Sequence, residues 1–301
     1  MKCVKKSNKN SLKSLLVSLD IIREKNLEIF SYQTRDNKNL RVYKDVKSNV
    51  IFIDKFYVGE QEYKKALYKK KKVPLLDTTK RTLEQYFDEK RRFERYIPFI
   101  ANKKICDFGC GAGGFLKQSL KYAEHVQGIE IEEELNVALN KSGIECYNDI
   151  NQIKENLDTF FLFHSFEHLP NPLDILKNIY KKLKKNKKGK IIIEVPHSRD
   201  FLLDYMAIES FKNFTLWSQH LILHTRSSLK IFLKEAGFKN IIIEGVQRYS
   251  IDNHLNWMIN NKPAGHKELL SILKDKDIEQ AYSNALSRID ANDTLVAIAT
   301  T

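Results

Sequence analysis

The stretch Ile105-Cys106-Asp107-Phe108-Gly109-Cys110-Gly111-Ala112-Gly113-Gly114-Phe115 constrains the fold more than any other part of the chain. An apolar run ends beside an acidic residue, a glycine-rich turn follows, and a helical pattern resumes after it. The same alternation repeats downstream. Strands are expected near 103–108, 126–131, 145–148, 158–163 and 190–195, and helices near 113–124, 132–142, 171–185 and 226–236. Strands alternating with helices of this length predict an α/β fold, a Rossmann-like doubly wound sheet with helices on both faces. Two further strands, near 240–244 and 294–299, bring the expected sheet to seven strands. The span 247–293 between these two is too long for a hairpin loop. It reads as a helical insertion, with periodic segments near 252–260 and 265–290.

Ahead of this unit, residues 1–75 read as a small α+β appendage, and 76–301 as the main domain. Ser11 to Ile29 carries Leu12, Leu15, Leu16, Leu19 and Ile22 at helical spacing. Short strands are expected at 39–43 and 49–53, joined by a turn at 45–48. A helix is expected from Asp77, with Asp77, Thr78 or Thr79 as its cap and Leu83, Tyr86, Phe87, Phe93, Tyr96 and Ile97 along it. It either packs simply on the sheet or lies across the cleft at the strand ends.

Composition narrows the partners. The net charge is +13, but the excess is mostly scattered lysine. The runs Lys69–Lys72 and Lys181–Lys188 contain no interleaved aromatics, which reads as solvated surface rather than a nucleic-acid face. There is no apolar run long enough to span a membrane and no signal-peptide pattern at the N-terminus, so a cytoplasmic protein is expected. The cysteines Cys3, Cys106, Cys110 and Cys146 read as reduced thiols. Histidines and acids show no convincing ligand spacing, so no metal is expected.

The glycine turn also satisfies G-x-G-x-x-G, which alone fits nicotinamide and flavin sites equally well. Those cofactors rest a pyrophosphate on the helix N-terminus. Asp107, two residues before Gly109, tends to repel that anion. S-adenosylmethionine (SAM) carries a sulfonium and an amino group instead, which a carboxylate favours. Gly109, Gly111 and Gly113 then let the backbone approach its methionine part. Glu130, in Gly128-Ile129-Glu130-Ile131, follows Asp107 by 23 residues and can accept both ribose hydroxyls. Ile131 beside it is counted with the cofactor residues. Asp149 either accepts the adenine amino group or caps a helix from Ile150.

Taken in order, Asp107, the glycine turn, Glu130 and Asp149 resemble the class I SAM-dependent methyltransferases over about residues 80–250. The resemblance implies SAM bound across the carboxyl ends of the first four core strands, with His164 on the cofactor side. The loop His164-Ser165-Phe166-Glu167-His168-Leu169-Pro170 resembles the loop after strand four in that superfamily. The segment Trp217-Ser218-Gln219-His220-Leu221 resembles a branch that includes sugar C-methyltransferases of antibiotic and polysaccharide pathways, in which Glu-His-Leu lies at the substrate site. Gln219 stands where that glutamate would be, and His220 is kept. Gln219 cannot act as a base near pH 7 whereas His220 can, which favours O- over C-methylation. The expected base is His220, with His168 and His197 in reserve. Those relatives also carry an N-terminal zinc module with clustered cysteines, but residues 1–75 hold only Cys3. On the substrate side, Gln219, Arg248, Asn253 and His254 are expected to contact a sugar, a nucleotide-linked sugar or a phosphorylated metabolite.

Three competing readings stand beside this one. A nicotinamide-dependent sugar oxidoreductase is disfavoured by Asp107 and by the lack of a clear Tyr-x-x-x-Lys pair. A SAM-binding module without catalysis is disfavoured by the histidine-bearing loops. An RNA methyltransferase is favoured only by the charge.

Overall fold

A computed structural model describes residues 11–65, 83–153, 156–183, 188–267 and 269–301. Cys3, the lysine run at 69–72, the expected caps at 77–79 and residues 184–187 of the 181–188 run lie outside these residues.

The chain opens with α1 (Leu12–Ser18), capped by the Ser11 hydroxyl, which accepts from Ser14 N. The helix expected to reach Ile29 stops here. Asp20 enters the left-handed region at φ 51°, and the Asp45 carboxylate takes the Arg23 N–H at 2.7 Å. The chain then turns into strand β1 (Leu27–Ser31), which pairs antiparallel with β2 (Val42–Asp45). Strand β3 (Ile51–Phe52) follows. After a short α2 (Glu60–Lys64) comes α3 (Leu83–Ile100), the helix before the first core strand.

The main sheet contains β4 (Lys104–Phe108), β5 (His125–Ile129), β6 (Glu145–Tyr147), β7 (Thr159–Phe163) and β8 (Lys190–Pro196). Between them run α4 (Gly114–Ser119), α5 (Glu133–Lys141) and α6 (Pro172–Lys182). After β8 come a π-helical turn (Phe201–Tyr205), α7 (Glu209–Thr215), β9 (Ile222–Leu223) and α8 (Arg226–Glu235). The chain finishes with β10 (Lys239–Val246), α9 (Ile251–Asn260), α10 (Lys276–Arg288) and β11 (Thr294–Thr300).

Sheet order is β10-β11-β8-β7-β4-β5-β6. Strands β4 to β8 run parallel, while β11 is antiparallel to both β8 and β10. This is the expected seven-stranded mixed, Rossmann-like sheet. Strand β7 is buried along its whole length, which explains the uninterrupted Thr-Phe-Phe-Leu-Phe run of a strand covered on both faces. Strand order reverses between β4 and β7, so the crevice for ligands opens at their carboxyl ends. In the insertion, α9 fits the 252–260 pattern. The pattern at 265–290 resolves into 3₁₀ turns at Gly265–Lys267 and Leu269–Leu273 before α10 begins. Asp275 restarts the helix by accepting from Asp277 N and Ile278 N.

A second, four-stranded sheet runs β1-β2-β3-β9. Its last strand comes from the main unit: Ile51 pairs with Leu223 and Phe52 with Ile222. Leu12, Leu16, Ile22, Val50 and Phe52 join one core with Phe160, Leu162, Ile191 and Phe232. Each such fully buried side chain contributes about 1.5–3 kcal/mol. The N-terminal residues thereby clamp the segment that carries His220.

Candidate active site

The glycine turn starts from backbone geometry. Gly109, Gly111 and Gly113 have φ of 72°, 56° and 71°, conformations that side chains resist. Space is also tight: a Cβ on Gly109 would lie 2.8 Å from Ser165 Cβ, and one on Gly113 would lie 2.3 Å from Leu139 Cδ2. The first contact matters for function, because it brings the loop after β7 against the glycine turn.

Asp107 ends this strand almost fully buried, and its Oδ1 has no hydrogen-bond partner among the described residues. Burial pushes its carboxyl up to about 8; the Arg92 guanidinium opposes this, and Glu130 and Glu89 add to it. A buried carboxylate with an idle oxygen beside other acids is a site for a cationic group. The ammonium and sulfonium of SAM fit it; a pyrophosphate does not. Glu130 ends β5 with Oε2 accepting from Gly111 N at 2.7 Å and Oε1 from Glu132 N at 2.9 Å. It ties the turn to the next strand, where a ribose would lie. Ile131 follows, half-buried. Asp149 is exposed, and its side chain caps the 3₁₀ turn from Ile150 by accepting from Asn151 N at 2.7 Å.

Over the carboxyl ends of β7 and β8 lies a buried ionic network. Glu194 sits in the middle of β8 and is fully buried. Arg91 and Arg92 of α3 both bond its carboxylate, at 2.8 and 2.7 Å. Burial alone would raise the Glu194 carboxyl, but Arg92, His164 and Arg91 hold it well below the usual carboxylate range. The Arg92 guanidinium also lies 4.8 Å above the Phe163 ring. Helix α3 therefore reaches over the cleft as well as packing on the sheet through Tyr96 and Ile100.

His164 takes a left-handed φ of 50° and enters this network. Its Nδ1 lies 3.3 Å from Glu167 Oε1, and its Nε2 lies 2.8 Å from Arg248 Nη1. Arg248, expected to meet a substrate anion, is instead partly buried and paired with Asp88 of α3. Its charge is already neutralised inside the protein.

Beyond His164, two loops converge. Glu167 is 1% exposed and its Oε2 has no hydrogen-bond partner among the described residues. Burial would raise this carboxyl, but the His164 hydrogen bond and the charges of His168, His164 and His220 hold it down to about 2. His168 Nδ1 donates to the Gln219 carbonyl at 2.8 Å, which leaves Nε2 as the acceptor nitrogen. The Leu221 N–H donates to the Glu167 carbonyl at 2.9 Å, pinning the two loops together. As a result the His168 and His220 rings stand 5.1 Å apart, with Trp217 at 5.4 Å from His220. His220 Nδ1 is buried without a hydrogen-bond partner among the described residues. Burial, then His168, pushes the His220 imidazole down to about 3, against the pull of Glu167. One donor atom each from Glu167, His168 and His220 lies within 4.8 Å of the others, a grouping able to hold a metal ion. The sequence spacing does not reveal it, because His220 comes from a loop 52 residues beyond His168.

The other expected residues are placed apart from this cluster. His197 is buried, with Nδ1 on the Asn292 carbonyl at 3.0 Å and Asp290 on its other side at 4.0 Å. Burial pushes it down to about 4. Gln219 is buried and contributes its main-chain carbonyl to His168. Asn253 and His254 serve the insertion itself. Asn253 Oδ1 accepts from Ala264 N at 2.9 Å, and the His254 nitrogens meet Tyr282 and Gln247. The residues missed from sequence are Asp88, Arg91, Arg92 and Glu194. One signal existed: Glu194 is the only charge inside Ile191–Pro196, and a buried strand does not carry a lone acid without a partner.

A family model for the methyltransferase domain matches residues 79–242, more than half of the chain. Among solved structures, the fold is similar to a SAM-dependent methyltransferase from Archaeoglobus fulgidus. That likeness has TM-score 0.50 and 20% identity, over 72% of this chain and 94% of the other. A SAM-dependent methyltransferase from Mesorhizobium loti is also similar, with TM-score 0.46 and 14% identity, over 71% of this chain and 97% of the other. No protein with a curated description matches the sequence.

Proposed function

The chain belongs to the class I SAM-dependent methyltransferases, and from that premise we propose that it methylates a hydroxyl of a small polar molecule. A sugar, a nucleotide-linked sugar or a phosphorylated metabolite of surface-polysaccharide biosynthesis is the favoured acceptor class. One observation carries this reading: Glu167, His168 and His220 converge from two loops, the first packed against the glycine turn, with Glu167 Oε2 and His220 Nδ1 unengaged among the described residues.

Bound SAM supplies an electrophilic methyl group on its sulfonium, and the rest is the work of this chain. Asp107, the glycine turn and Glu130 hold the methionine and ribose parts. Helix α3 is held over the cleft through its Arg91 and Arg92 pairs with Glu194. The Glu167–His168–His220 cluster receives the acceptor hydroxyl and draws off its proton. Burial keeps the His220 imidazole neutral, so it brings a lone pair rather than a positive charge to the acceptor. An amine acceptor has less need of such a cluster, because its lone pair attacks without prior deprotonation.

The test is product identification. The full chain is incubated with SAM and a panel of monosaccharides, nucleotide sugars and sugar phosphates, alongside amine acceptors. Mass spectrometry and carbon NMR then place the new methyl group. An O-methyl product supports the reading, and transfer to nitrogen or carbon alone refutes it.

A further inference from the structure

We infer that Glu167, His168 and His220 form a site for a first-row divalent transition-metal ion, which binds and acidifies the acceptor hydroxyl. The inference rests on the O-methylation reading and deepens it: the cluster works through a bound cation rather than by His220 taking the proton itself.

The argument begins with an imbalance. Two imidazoles and a carboxylate face one another with one potential ligand atom each inside 4.8 Å. His168 Nδ1 is spent on the Gln219 carbonyl, so its Nε2 lone pair is the one turned toward Glu167, 4.0 Å from Oε1. His220 Nδ1 and Glu167 Oε2 are buried with no hydrogen-bond partner among the described residues. Buried polar atoms are nearly always satisfied. With the neutral tautomers that leave a lone pair toward the carboxylate, the cluster is completed by a positive charge at its centre.

The surroundings have the form of a metal site. Ligating histidines usually donate their second nitrogen to a carbonyl or carboxylate, which fixes the tautomer. His168 does so to Gln219, a main-chain group of the same loop that brings His220. The carboxylate is oriented in turn by His164 Nδ1 at 3.3 Å. The two loops are locked by the Leu221-to-Glu167 main-chain bond, and β9 fixes the second of them to the N-terminal sheet. Donors around a tetrahedral ion at about 2.1 Å stand about 3.4 Å apart. The observed spacing needs only small side-chain rotations to reach that.

Ligand chemistry selects the ion. Imidazole nitrogens suit zinc, iron, nickel and copper, whereas magnesium and calcium prefer all-oxygen sets. Three protein ligands leave positions open, as in catalytic rather than structural sites. An acceptor oxygen on the ion becomes a stronger acid. Its proton passes to solvent water. The methyl carbon replaces that proton on oxygen as the carbon–sulfur bond breaks, and both electrons of that bond stay on sulfur.

The experiment uses the full chain, stripped with chelator and dialysed, with no acceptor present. Zn²⁺ and Mn²⁺ are titrated by calorimetry, with Mg²⁺ alongside, and Co²⁺ loading is followed by visible absorption. The expected result is tight binding of one Zn²⁺ per chain, weaker Mn²⁺, and negligible Mg²⁺. His168→Ala and His220→Ala should each weaken Zn²⁺ binding by about 100-fold or more, with SAM binding and circular dichroism unchanged. If either variant fails to fold, the wild-type Co²⁺ spectrum decides: d–d bands of a nitrogen–oxygen site support the inference. Absence of stoichiometric binding overturns it. So do unchanged affinity in both folded variants and a thiolate charge-transfer band that assigns the ion to cysteine. Since binding is read without an acceptor, an ion bound to an enzyme that methylates only nitrogen refutes the O-methylation reading alone. O-methylation that survives full chelation refutes the metal site alone.

Discussion

On the β4–β6 side of the cleft, the groups proposed to meet the cofactor fall between Asp107 and Glu130, and backbone shape does most of the positioning. Three glycines at positive φ form the turn, and Glu130 braces it through the Gly111 N–H. On the β7–β8 side, the working groups come from α3, from the loop at 164–168, from the loop at 217–221 and from Arg248. Side-chain ion pairs and ring contacts hold them together. One side is local and depends on what is absent, namely a Cβ. The other is assembled from distant stretches and depends on charges being matched. The difference teaches that the glycine turn is shaped by a short motif, whereas the cluster opposite rests on long-range packing, including the N-terminal sheet that holds β9.

The two sides should fail differently. The largest effect is expected on the assembled side. Glu194→Gln leaves Arg91 and Arg92 facing a neutral group in a buried site, and should cost about 3–5 kcal/mol in urea denaturation. The sign with pH follows from the depressed carboxyl of Glu194. Its stabilisation is present above the ordinary carboxylate pKa and is lost as pH falls through the lower folded value. The variant should lose that acid sensitivity. A cost under about 1 kcal/mol would show that the network contributes little.

On the local side, Gly113→Ala combines a left-handed φ with a Cβ 2.3 Å from Leu139. A loss of about 2–4 kcal/mol is expected, with SAM affinity falling at least about tenfold by calorimetry. Normal SAM binding would contradict the close-packed turn.

Asp107→Asn should separate stability from binding. The Asp107 carboxyl is raised to about 8, so the cofactor-free protein pays increasingly for it as pH climbs from the ordinary carboxylate range toward that value. Replacing the carboxyl by a neutral amide should stabilise the cofactor-free protein by up to about 4 kcal/mol at pH 7 and weaken SAM binding about tenfold. Cys110→Ala, in the same turn, should leave SAM affinity within about threefold. Equal losses in both variants would remove Asp107 as the cation's partner.

Legibility in the sequence followed the same division. The seven strands of the main sheet were readable because continuous apolar runs and glycine turns are local signals. The α1 boundary was misread because Asp20 turns left-handed and the Ile21 N–H closes back on the Leu16 carbonyl, ending a helical pattern that apolar spacing would continue. The insertion helix was overextended for a similar reason, since Asp275 restarts it. At the site, Asp107 and Glu130 were legible from their place beside glycine and strand end. Arg248 was singled out but given an external partner, because nothing local reveals Asp88. The meeting of His168 with His220 depends on a main-chain bond between two loops, which no spacing encodes.

The most direct test of the account compares wild type with His220→Ala in two assays: SAM affinity by calorimetry, and radiolabelled methyl transfer from SAM to the best hydroxyl acceptor of the panel. The account predicts an unchanged SAM affinity and a loss of transfer of about 100-fold or more. Transfer at the wild-type rate by this variant would contradict it.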